Sequence, residues 1–301
     1  MQNVINTILV AIDFTEKSYN AVKMAAHMAV RHNAKVILFH SIAHHAIIDR
    51  TGRQVIGAET ISENHEKAEQ TLNKLENSLK TEYSGINFQT LIKNGSLVNG
   101  INEAVESEDV DLVICGSSGK QNLTQVILGS LSYEILTETN CSVLLVPENC
   151  TKYVFEKILV PIRVLEDLTD KIDLSVRIAK KNNAVISLLA ISNEEDFLKI
   201  RKAYQRAKTN LAIKSQEYNS KFLLTHDKAT HISKFSQEHH ADIITLNYKD
   251  EGSWRSFFAG NFFKQIINYT DIPLLFLKKR VKNVNRTNDN LGFDITLPHP
   301  G

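Results

Sequence analysis

Short apolar runs recur along this chain, separated by longer stretches in which apolar residues return every third or fourth position. In the first half the runs fall near residues 4–12, 34–41, 86–93, 110–115 and 142–147. They are continuous rather than alternating, the pattern of strands covered on both faces in a parallel sheet. Helices are predicted between them, near 16–32, 59–83, 96–108 and 129–140. The first places Ala21, Met24, Ala25, Met28 and Ala29 on one face. The second half repeats the order, with strands near 156–162, 184–191, 219–226, 241–247 and 272–278. Strict β–α alternation implies right-handed crossovers and a doubly wound sheet.

The two halves match in sequence as well as in order. Thr7–Asp13 reads TILVAID and Lys157–Arg163 reads KILVPIR; AKVILFH (Ala34–His40) pairs with AVISLLA (Ala184–Ala190). VDLVIC (Val110–Cys115) pairs with ADIITL (Ala241–Leu246), and SVLLVP (Ser142–Pro147) with IPLLFL (Ile272–Leu277). A constant order at a nearly constant offset indicates duplication. The expected architecture is therefore α/β, with two tandem doubly wound (Rossmann-like) domains. Each would be a five-stranded parallel sheet with helices on both faces, over residues 1–150 and 151–280, followed by a C-terminal arm, 281–301. The junction Glu148–Phe155 is too short for the halves to tumble freely.

Composition narrows the class. The chain has 301 residues, 43% hydrophobic and 23% charged, with a formal net charge of +1. That balance is globular and argues for neither nucleic acid nor membrane as partner. Charge is nonetheless uneven: residues 1–150 hold 11 basic and 17 acidic residues, residues 151–301 hold 24 and 17. Opposite signs favour the halves packing on each other. The N-terminus lacks a signal-peptide pattern, and Cys115, Cys141 and Cys150 form neither a CxxC pair nor an even set. A cytoplasmic protein with inert thiols is expected. His40 and His44 have H-x3-H spacing but fall at the end of a predicted strand, and no helix carrying H-x3-H or HExxH joins them, His45 or His226, His231, His239 and His240, so no metal site is expected. No catalytic residue is nominated, because GxSxG, Cys/His and GK(S/T) signatures are missing. The run SENHEKAEQTLNKLENSLK reads as a solvated helix with i,i+4 pairs.

The informative segment is ICGSSGKQNLTQVILGSL, Ile114–Leu131. It sets Gly116, Gly119 and Gly129-Ser130 in a G-x2-G-x9-G-S pattern between a buried strand and a helix start. Glycine can take φ > 0 and let backbone amides approach a phosphate, and a helix N-terminus adds donors and a favourable dipole. The Ser130 hydroxyl is a further donor. Asp13, just past the first strand, would sit at the same sheet edge, where it could hold ribose hydroxyls or a metal on the phosphates.

With ILVAIDFTEKSYNAV, KVILFHSI, VDLVICGSSG, LGSLSYEIL and CSVLLVP, the chain resembles the universal stress proteins in their tandem form. The resemblance implies ATP, with or without magnesium, as ligand. It places Ala11, Asp13 and Ser41 near adenine and ribose, and Cys115, Gly116, Gly119, Gly129, Ser130 and Leu131 around the phosphates. Ala11 stands where that family commonly has proline. The resemblance also implies pairing through the last strand of each unit, here an internal pseudo-dimer, with further homodimerisation and an unknown protein partner left open. It further allows Ser117 or Ser118 to accept a phosphoryl group; as turn formers neither needs that role.

The second copy departs from the pattern. Asn247 and Asp250 replace Gly116 and Gly119, Asn261 replaces Ser130, and Arg163 replaces Asp13. A carboxylate at Asp250 would repel phosphate. The adjoining Trp254, Phe257, Phe258, Phe262 and Phe263 leave open whether they fill the vacated pocket, make a protein-binding patch or form the buried face of a helix. For function the leading expectation is an ATP-binding regulatory protein. The rivals are a scaffold or small-ligand carrier acting through the second copy, and a nucleotide-cleaving enzyme of the ATP-pyrophosphatase type, whose SGGxDS loop is absent after the first strand.

Overall fold

The computed structural model describes residues 5–42, 47–48, 54–55, 58–118, 130–163, 168–248 and 262–278. Its first half runs β1 (Thr7–Ala11), α1 (Glu16–His32), β2 (Lys35–Ile42), the hairpin β3 (Ile47–Ile48) and β4 (Gln54–Val55), α2 (Ala58–Glu82), β5 (Phe88–Asn94), α3 (Leu97–Ser107), β6 (Leu112–Ser117), α4 (Ser130–Glu138) and β7 (Ser142–Pro147). The second half runs β8 (Lys157–Ile162), α5 (Leu168–Asn182), β9 (Val185–Ser192), α6 (Phe197–Ile213), β10 (Tyr218–Leu224), α7 (Lys228–Glu238), β11 (Ile243–Asn247), α8 (Phe262–Tyr269) and β12 (Leu274–Leu277). Each expected strand and first-half helix appears within about three residues of its predicted bounds. The short β3–β4 hairpin was not foreseen, and the arm at 281–301 lies outside the described residues.

All strands but the hairpin form one ten-stranded sheet, ordered β10-β9-β8-β11-β12-β7-β6-β1-β2-β5. Each half contributes five parallel strands in the same internal order, and the halves meet where β12 pairs antiparallel with β7, Leu275 opposite Leu144. The central strands are predominantly apolar because helices cover both faces: β1 and β7 are buried along their whole length.

The duplication reaches individual atoms. Asp111 Oδ2 accepts the amides of Asn6 (2.8 Å) and Thr7 (3.1 Å), and Asp242 Oδ2 accepts those of Glu156 (2.7 Å) and Lys157 (2.8 Å). Ser96 caps α3 and Asp227 caps α7, each accepting an amide three residues on. Asn33 and Asn183 both turn left-handed after the first helix of their half, φ 55° and 52°. The junction is bolted down. Asn20 Nδ2 donates to the carbonyls of Pro147, Glu148 and Cys150, Arg31 donates to that of Tyr153, and His27 stacks on the Tyr153 ring at 5.0 Å. Lys278, just past β12, donates to the Thr139 carbonyl (2.7 Å) at the C-terminal end of α4, where a cation suits the helix dipole. Among the described residues no helix is long and apolar enough to cross a membrane.

Candidate functional site

The carboxyl ends of β1, β2 and β6 surround a cavity of about 300 Å³. Strand order reverses between β1 and β6, so the cavity lies at the topological switch point, the usual ligand crevice of an open α/β sheet. Of the nine residues expected there, Ala11, Asp13, Ser41, Cys115, Gly116 and Leu131 line it. Ser130 opens α4 as expected, and only its backbone is described. Gly119 and Gly129 lie outside the described residues.

The β1–α1 corner is tightly specified. Asp13 Oδ1 accepts the amide (3.0 Å) and hydroxyl (2.5 Å) of Thr15, closing a local turn at the start of α1. Burial pushes the Asp13 carboxyl up, but hydrogen bonds from Thr15 and Ser18 outweigh it and hold the group below its ordinary range. Asp13 is therefore an anion at neutral pH. Phe14 adopts φ 62°, an unfavourable backbone state for a bulky side chain. Its ring is held against His40, centroids 4.5 Å apart, while His40 Nδ1 lies 2.8 Å from the Ile12 carbonyl and so carries the proton there. The Cys115 thiol is fully buried and pushed up to about 12, by desolvation first and then by Asp13, which makes it inert.

Gly116 calls for a correction. The glycine was expected to reach φ > 0 for a phosphate, yet it sits inside β6 and its φ is not left-handed. A Cβ there would stand 2.5 Å from the Lys17 carbonyl oxygen, so its immediate reason is the close packing of α1 on β6. Gly95, by contrast, is left-handed at φ +108°; it lines the cavity and its carbonyl accepts the Ser41 hydroxyl at 2.9 Å. Sequence reasoning missed it, although Asn94-Gly95-Ser96 is a turn followed by a helix cap. It also missed Lys17, Ser18, His40 and Ser132, which line the same cavity. Ser132 Oγ donates to the Gly116 carbonyl (2.7 Å) and fixes α4 to β6.

The model of the Universal stress protein family matches residues 5–147. Universal stress protein YxiE of Bacillus subtilis is 30% identical over 146 residues, covering 47% of this chain and 98% of that protein. The chain belongs to the universal stress protein family. Universal stress protein MJ0577 of Methanocaldococcus jannaschii is also 30% identical, over 151 residues, covering 46% of this chain and 93% of that protein. A universal stress protein from Archaeoglobus fulgidus shares the fold across 91% of this chain and 98% of its own, at TM-score 0.74 and 17% identity.

The same corner of this universal stress protein is built differently in the second half. Arg163 stands where Asp13 stands and is 5% exposed. Its guanidinium carbon lies 3.6 Å from the Phe262 ring centroid and 5.4 Å from that of Phe263. Asn247, in the place of Gly116, is buried at the end of β11. Tyr248 stacks on Phe263 at 5.9 Å, and desolvation lifts its phenol to about 12. Phe262 and Phe263 belong to the buried face of α8, and the Phe262 ring packs against the guanidinium at the end of β8. Asp250, Trp254, Phe257, Phe258 and Asn261 lie outside the described residues. Among the described residues no group of three or more His, Cys, Asp or Glu side chains is arranged to hold a metal ion.

Proposed function

We propose that this universal stress protein binds ATP, one molecule per chain, in a first unit spanning residues 1–150. Residues 151–280 would form a second unit that takes no nucleotide. The observation that carries the reading is the convergence of six expected site residues on one cavity at the switch point. The chemistry of the donor set fits an adenine nucleotide. Asp13 offers a carboxylate to sugar hydroxyls, Ala11 and Leu131 offer apolar surface to a base, and the N-terminal turns of α1 and α4 offer amides to phosphates. ATP bound beside Gly116 would be the signal that a partner or the second unit reads.

A regulatory role fits better than turnover. The carboxylate at the cavity, Asp13, is held below its ordinary range and is a correspondingly weak base. Small molecules extracted from the purified full chain and identified by mass spectrometry test the reading. Adenine nucleotide is expected at up to one equivalent. Titration of nucleotide-free protein to millimolar ATP without binding would overturn it.

A further inference from the structure

We infer that Lys17 lets the first-half cavity tell a ligand carrying a phosphate chain from one without, and that Ser118 is the partner Lys17 gives up when such a ligand arrives. The inference rests on the proposed nucleotide site and adds the residue that sets its selectivity. Lys17 lies in the first turn of α1, half-buried, and its Nζ sits 3.0 Å from Ser118 Oγ. Among the described lining residues it is the sole lysine or arginine, and among the described residues it pairs with no carboxylate. A partly buried ammonium held by a neutral hydroxyl gains by exchanging it for a phosphate oxygen, because the new acceptor carries negative charge and adds Coulomb attraction to the hydrogen bond.

The backbone keeps that tip in range. Lys17's carbonyl packs so closely on Gly116 that a Cβ would meet it at 2.5 Å, so α1 cannot slide along β6. The two charges then impose a polarity. The Asp13 carboxylate repels phosphate from the β1 end, while Lys17 attracts it toward Gly116 and Ser118.

Affinities of adenosine, AMP, ATP and inorganic tripolyphosphate for the full chain and for Lys17→Met and Lys17→Arg test this. Wild type is expected to prefer ATP to adenosine. Lys17→Met should weaken ATP and tripolyphosphate by about tenfold or more, with adenosine held within about twofold. Lys17→Arg should retain most of the ATP affinity. Equal loss of ATP and adenosine in Lys17→Met would mean a merely structural role, and unchanged ATP affinity would mean none; either overturns the inference while leaving the nucleotide reading standing. Wild type that takes up tripolyphosphate but no adenine compound would sink the nucleotide reading alone. Binding of none of the four would sink both.

Discussion

The ends of β1 and β8 are copies of one corner with opposite contents. After β1 comes Asp13, an anion tied to Thr15 beside an open cavity; after β8 comes Arg163, a cation laid 3.6 Å from the Phe262 ring. The scaffolds around them agree to the level of Asp111 and Asp242, each gripping the two amides that begin its half's first strand. A doubly wound sheet therefore fixes where a ligand crevice can form without fixing whether one does. Residues just past the strand ends decide that, and they can change with little effect on the sheet.

The largest effect is expected where the first half has no room. Gly116→Val would drive a side chain into the Lys17 backbone and should cost roughly 3 kcal/mol or more of unfolding free energy in urea titrations. Loss of ligand binding in that variant would report damaged packing, so it is a poor probe of the phosphate loop. A cost below about 1 kcal/mol would show that α1 and β6 approach less closely than described.

Next comes the contact of Arg163 with Phe262 in the second half. Arg163→Ala removes a buried guanidinium stacked on Phe262 and should cost about 2 kcal/mol. A double-mutant cycle with Phe262→Leu should return a coupling of about 1 kcal/mol; no coupling would mean that the two merely neighbour each other.

The seam between the halves gives a pH signature. Desolvation lowers the Lys278 ammonium to about 8, so the folded state gives up this proton before the unfolded chain does. Between about pH 8 and 10.5 the unfolded state binds more protons, and this residue's contribution to stability rises with pH there and is flat below. Lys278→Met should abolish a rise of roughly 3 kcal/mol in pH-dependent unfolding. An identical profile in both proteins would place the ammonium in water.

The smallest effect on folding belongs to the site itself. Asp13 has a depressed pKa, so its contribution is present above the unfolded value of 3.8 and lost as pH falls through the lower folded one. Asp13→Asn should cost less than about 1 kcal/mol of stability while weakening ATP about tenfold. Equal losses of stability and affinity would recast Asp13 as a turn former only.

Much of this was legible in the sequence, and the reasons differ from place to place. Strands such as TILVA and SVLLVP declared themselves because burial on both faces leaves continuous apolar runs. Ala11 and Cys115 came from the family resemblance, whereas Asp13 was reachable because the fold puts ligands at strand ends. Lys17 was not, since a lysine in a first helical turn looks like any solvated surface residue until the position of the next strand is known. Gly116 was found, but its packing role was not: a glycine after an apolar run suggests a turn with φ > 0, whereas the atom it must avoid belongs to α1, distant in sequence. The stacking of Arg163 on Phe262 joins two residues that no local pattern connects.

The number of ATP molecules bound per full-length chain at saturation tests the asymmetry most directly. The account predicts close to one in wild type, marked loss of affinity with Asp13→Asn, and unchanged binding with Arg163→Ala. Two molecules per chain, or one that is lost with Arg163→Ala and retained with Asp13→Asn, would contradict it.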